Sequence, residues 1–129
     1  MQIIIGHSFV LPLQRLPIEA TALEMIWLLP GTFLMGSSPG EPDRFEEEER
    51  QFEATISRGF WLGKYSVTQA QWRLVMGYNP SHFQEISINC PVENVNWHET
   101  MGFCQRLNDL FADHLPVGYR FSLPTEAQW

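Results

Sequence analysis

GFWLGKYSVTQAQWRLVMG, Gly59 to Gly77, changes its backbone grammar half-way. Its first part is aromatic and apolar around Phe60-Trp61, the composition of a half-buried strand. Thr68 followed three residues later by Gln71 is then a capping box. The Thr hydroxyl accepts from a first-turn N–H and the Gln side chain reaches back to the cap. A helix over QAQWRLVM follows, with Trp72, Val75 and Met76 as its apolar face and Gly77 as its C′ stop. A strand feeding directly into a short capped helix predicts a mixed α+β class.

The flanking segments extend that reading. Upstream, FEATISRGFWLGKY alternates in part, with Phe52, Ala54 and Ile56 on one side, and predicts a strand or a strand pair. ALEMIWLLPGTFLMGS predicts two strand segments about a Pro30-Gly31 turn, with Phe33 and Met35 on one face and Leu34 on the other until Gly36. In MQIIIGHSFVLPL, the runs Ile3–Ile5 and Phe9–Leu11 suit strand until Pro12 interrupts. SPGEPDRFEEEERQ reads as a long surface loop. Its Glu46–Glu49 run lacks EF-hand ligand spacing and reads as a solvated acidic face.

Downstream, YNPSHFQEISINCPVENV is loop, punctuated by Asn79-Pro80 and Cys90-Pro91. Asn96 and Glu99 form the next capping box and open NWHETMGFCQRLNDLF. There Trp97, Met101, Cys104 and Phe111 make one stripe, which Phe103, Leu107 and Leu110 widen, so Cys104 is expected on the buried side. The chain finishes RFSLPTEAQW. Pro124 favours an extended entry, Thr125 and Gln128 form a third capping box, and Glu126 suits the positive end of a helix dipole. Only one turn follows that cap, and one turn alone is unstable.

The chain has 129 residues and 15.0 kDa, enough for one domain with a core, and 44% of it is hydrophobic, which argues against disorder. A net charge of −7 and a pI near 4.9 argue against nucleic acid or an anionic membrane as partner. No stretch reaches the roughly 18 apolar residues of a membrane span. The apolar N-terminus lacks the basic region and cleavage site of a signal peptide, so a cytoplasmic location is expected. Cys90 and Cys104 are too few for a disulfide scaffold and are expected as free, partly buried thiols.

Catalytic signatures are sparse. Cys90, Cys104 and His98 lack the CxxC or HxxxH spacing that pre-organises structural zinc, and His98 falls in the exposed first turn of its helix. There is no GxSxG elbow and no phosphate-cradling glycine loop. Cys104 on an apolar stripe would have its thiol pKa raised, opposite to what a nucleophile needs. The aromatics recur at helix or strand spacing, which favours core over a stacking platform. The residues alone predict a soluble α+β domain with no catalytic, cofactor-binding or metal residue assigned.

Five ordered blocks carry a resemblance. They are GTFLMGS (Gly31–Ser37), GFWLGKYSVTQAQW (Gly59–Trp72), MGYNPSHF (Met76–Phe83), CPVENVNWHETMGFCQRLN (Cys90–Asn108) and YRFSLPTEAQW (Tyr119–Trp129). Together they resemble the formylglycine-generating enzyme, or sulfatase-modifying factor, domain, over about Met25 to Trp129. The resemblance implies a loop-rich, C-type-lectin-like α+β fold. It also implies domain bounds of 25–129 for the amino-terminal part of such a domain, with 1–24 as an extension able to add a strand. Two departures stand out. ERQFEATIS lacks the Pro and His of the family's E-x-P-x-H-x-V segment and suits a looser edge strand. Asn96 and Gln128 replace a frequent Ser and Glu but keep capping chemistry.

In the family, the LPTEAEW motif lies near mid-domain and is followed by a loop-rich half with a GNVWEW-like motif. The characterised enzymes oxidise a sulfatase cysteine to formylglycine with oxygen and a copper held by two cysteines. Those cysteines and the calcium-binding loops lie downstream and match neither Cys90 nor Cys104. The expectation is therefore a fragment without formylglycine-generating activity, from a parent that needs copper and calcium and acts on a protein or peptide. The block style resembles bacterial members. The scaffold also hosts iron-dependent sulfur-transfer enzymes and non-catalytic binding modules, so a ligand- or protein-binding module is the alternative. Trp72, Trp97, Phe60 and Trp61 are expected to lack part of their packing, which would leave an apolar surface prone to self-association.

Overall fold

The computed structural model describes residues 9–11, 22–42 and 50–129. Five strands and two helices follow in the order β1 (Phe9–Leu11), β2 (Leu23–Leu28), β3 (Gly31–Met35), β4 (Phe52–Ile56), β5 (Phe60–Gly63), α1 (Gln69–Met76) and α2 (Trp97–Phe111). The α+β class expected from the sequence is the class observed. Ile3–Ile5 and Glu46–Glu49 lie outside the described residues.

Both sheets are antiparallel, one with the strand order β1-β2-β5 and one pairing β3 with β4. The Pro30-Gly31 turn thus joins β2 and β3 without pairing them. β2 takes β5 as its neighbour, with Trp27 opposite Trp61, their rings edge-on at 5.2 Å. The Lys64 N–H donates to the Glu24 carbonyl just beyond the last paired residue, and Lys64 Nζ meets Glu24 Oε1 at 2.7 Å. β4 pairs with β3 alone among the described strands, consistent with the looser edge that ERQFEATIS suggests. In that ribbon the Thr32 and Thr55 hydroxyls meet at 2.9 Å across the register.

The two complete helices start as their capping boxes dictate. Thr68 Oγ1 accepts from Gln71 N–H at 3.2 Å, and Gln71 Oε1 accepts from Thr68 N–H at 2.9 Å. Asn96 and Glu99 repeat the exchange at 2.9 and 2.8 Å. Gly77 closes α1 at φ +86°, a left-handed value that a β-carbon disfavours, while its N–H donates to the Arg73 carbonyl. At the C-terminus, Thr125 and Gln128 form the third box, and Trp129 N–H donates to the Thr125 carbonyl at 3.0 Å.

The core lies between α1 and α2 and gathers Leu23, Trp72, Val75, Phe103, Leu107 and Phe111, with Val67, Val92, Val95 and Phe121 packed against it. Trp72 stacks on Phe103 at 5.1 Å with the rings nearly parallel. Two expectations are corrected here. Trp72 is 1% exposed and needs no further covering. The buried stripe of α2 is Phe103, Cys104, Leu107 and Phe111, whereas Trp97, Met101 and Leu110 are exposed. At 100° per residue, Trp97 and Met101 fall on one flank of that stripe and Leu110 on the other. Trp97 also opens the helix, where side chains lean back toward the N-terminus and away from the α1 contact. Phe60 and Trp61 are half-buried.

Candidate functional site

Three places hold the polar and thiol groups that chemistry or recognition would use. The most elaborate is where the start of α1 meets the loop from Tyr78 to Val95. Gln69, on the same face as Trp72, is buried, yet its amide is bonded at both ends. Nε2 donates to the Phe83 carbonyl at 3.1 Å, and Oε1 accepts from Asn79 Nδ2 at 2.9 Å. Ser81, also buried, places its hydroxyl between the Glu93 N–H and carbonyl. Glu93 Oε1 accepts from Phe83 N–H at 2.9 Å. The backbone N–H groups of Gln69 and Ala70 donate to the Cys90 and Ile88 carbonyls. Asn94 holds φ +60° and its Nδ2 donates to the Pro80 carbonyl.

This network makes the loop a bonded platform without regular secondary structure. The sequence marks it as a loop through its prolines and asparagines. Its anchor, Gln69, is signalled only by position, a polar residue at helical spacing from Trp72 and Val75.

The thiols form the second place. Both are free, as expected, with Cys104 buried and Cys90 half-buried. Burial pushes the Cys104 thiol up, the direction its apolar stripe predicts. Cys90 sits in the platform loop beside Pro91, which bridges to Thr68. His98 is exposed and contacts Trp97 edge-on at 5.1 Å. Among the described residues, no three His, Cys, Asp or Glu side chains group as metal ligands.

The third place is an open hollow of about 450 Å³ between the C-terminal half of α2 and the 115–120 turn. Tyr119, Arg120 and Gln105 supply its polar lining, and Leu115, Pro116 and Val117 its apolar rim. Asn108 fixes the far side by bonding both backbone groups of Phe121.

A family model described as the sulfatase-modifying factor enzyme 1-like domain matches residues 14–129. The chain belongs to this family. The structural comparison gives the corresponding fold. The Treponema denticola variable protein 1 superposes with a TM-score of 0.65 over 81% of this chain and 36% of its own, at 23% identity. PvdO from Pseudomonas aeruginosa gives a TM-score of 0.57 over 81% of this chain and 44% of its own, at 16% identity. These likenesses establish the C-type-lectin-like fold of the sulfatase-modifying factor domain and leave activity open. A curated relative, "Chaperone protein LppX" of Paenibacillus barcinonensis, is 49% identical over 45 residues. That match takes in 35% of this chain and 15% of the relative. The chain thus spans less than half the length of each of these relatives.

Proposed function

We propose that this chain supplies the framework of a formylglycine-generating-enzyme-like domain and carries no cysteine oxidation by itself. The observation that supports this is the placement of its thiols. The copper implied by the family resemblance needs two thiolates that a metal can reach. Cys104 is 8% exposed, on the core side of α2, and its raised pKa disfavours the thiolate. Cys90 lies in the bonded loop at the other helix's start, where its carbonyl accepts from Gln69 N–H. These two residues do not fit a copper site, and no oxidation step is assigned to them. Any oxidising thiols, and any calcium loops, then belong to further sequence of a longer parent acting on a protein or peptide.

The test offers the 129-residue chain a cysteine-containing sulfatase peptide with copper(I) and oxygen, and follows the peptide by mass spectrometry. Unchanged peptide is the expected result, with copper(I) binding no tighter than that of a Cys90→Ser, Cys104→Ser variant. Copper-dependent appearance of formylglycine would overturn the proposal.

The second reading is a non-catalytic ligand- or protein-binding module. It is favoured by large apolar side chains on the surface, among them Phe83, Ile86, Ile88 and Trp97. A curated relative that matches part of this chain is named as a chaperone, which points the same way. Two unpaired thiols suit a reducing compartment, in keeping with a cytoplasmic protein.

A further inference from the structure

The platform loop beside the start of α1 turns its apolar residues outward. Phe83, Ile86 and Ile88 are 58%, 72% and 56% exposed within one short stretch of chain. A loop that simply lacked a partner in the core would be free to fold these side chains away. This one is held. The Phe83 N–H donates to Glu93, the Phe83 and Ile88 carbonyls accept from Gln69 and Ala70, and Gln84 Nε2 donates to the Ser81 carbonyl at 2.8 Å. The backbone is thus held at Phe83 and Ile88, on either side of Ile86, while all three side chains stand exposed. A preformed surface of this kind loses little entropy on binding.

Charge indicates the kind of partner. Between Arg73 and Arg106 the sequence holds no Lys or Arg, but three glutamates, Glu85, Glu93 and Glu99. Glu93 and Glu99 spend their carboxylates on the loop and on the α2 cap, yet remain acceptor-only, negatively charged groups. Glu85 sits between the apolar side chains along the chain. A second copy, itself at net charge −7, would bring like charge to this surface.

We propose that the loop from His82 to Asn89 docks a short segment of a partner protein whose side chains are apolar and basic. Ile86, Ile88 and Phe83 bury the apolar groups, and Glu85 meets the cationic one. This holds whether or not the chain carries catalysis, because the loop shares no thiol side chain with the copper argument.

The probe is a short fluorescein-labelled peptide of alternating leucine and arginine, with its leucine–glutamate counterpart as control, followed by anisotropy at low and high salt. The arginine peptide should bind the 129-residue chain and weaken as salt rises, and the glutamate peptide should not bind. The Ile86→Asn, Ile88→Asn variant should lose about tenfold in affinity, the scale of losing a central apolar contact. Its side chains already face solvent, and circular dichroism checks that it folds. Glu85→Lys, a purely surface change, should also weaken binding and flatten the salt dependence. Equal binding of both peptides, or unaltered affinity in both variants, overturns the proposal. So does sedimentation showing that this loop joins two copies of the chain and that Ile86→Asn, Ile88→Asn separates them.

Discussion

Asn108 holds Phe121 by both of its backbone polar groups, donating from Nδ2 to the carbonyl at 2.9 Å and accepting from the N–H at 2.6 Å. This two-point bond ties the RFSLPTEAQW segment to α2 and seats Phe121 beside Phe111, ring centroids 6.3 Å apart. Asn108→Ala would leave a half-buried N–H and C=O without partners, a loss of about 1–3 kcal/mol. Asn108→Asp keeps the acceptor and loses the donor, so it should fall between Ala and wild type. Urea unfolding of the three proteins checks the order. Equal stability of Ala and wild type would mean that the bond contributes nothing net.

Gly59 lies against Trp27 with no room for a side chain. A β-carbon there would run into Trp27 Cζ2 and come within 2.9 Å of the Leu28 carbonyl oxygen. Trp27 cannot withdraw freely, since its ring meets Trp61 across the β2–β5 pair. Gly59→Ala should cost about 1–3 kcal/mol by overpacking. It should also alter the near-ultraviolet circular dichroism of the Trp27–Trp61 pair. A thermal melt and a spectrum like those of wild type would contradict this close approach.

What the sequence reveals here divides by range. The three capping boxes and the Gly77 stop are legible because each is a local contract between residues a few positions apart. Strand partners are not, since β2 and β3 are joined by one tight turn and still enter different sheets. Their pairing with β5 and β4 depends on distant packing. Cys104 is placed correctly by the helical stripe, but the same stripe misplaces Trp97, Met101 and Leu110. Only the contact with α1 decides where the buried sector is centred. Gln69 and Asn108 escape notice for a related reason, because a polar residue near a core stripe reads as surface until its backbone partners are located.

The Cys104 thiol carries a pH dependence. Its folded-state pKa is raised above the ordinary 9.0 by desolvation, so the native protein keeps the proton where the unfolded chain releases it. Below about pH 8 both states are protonated and nothing is lost. As pH climbs past 9.0 toward the raised folded value, the unfolded state is favoured and stability falls. Melts from pH 7 upward should therefore show a steeper alkaline decline for wild type than for Cys104→Ala, even though the latter begins less stable. Parallel declines would show that burial of this thiol does not control the alkaline limb. Ellman's reagent on the native chain should correspondingly label Cys90 well before Cys104.

Trp97 is 62% exposed at the first turn of α2, beside Met101 on the same flank, and Trp129 is exposed at the C-terminus. Large apolar side chains left on the surface in this way favour association when nothing covers them. The chain alone should self-associate, with sedimentation or light scattering showing mass that grows with concentration. Trp97→Gln should raise the monomer fraction, and its melting temperature should hardly move because the side chain packs on nothing in the core. That combination separates a sticky surface from a weak fold, since a destabilised core would raise association and lower the melt together. A sharp, cooperative, concentration-independent melt of a monomer would show that these groups are tolerated in water. The expectation that Trp97 leaves an apolar surface prone to self-association would then fail.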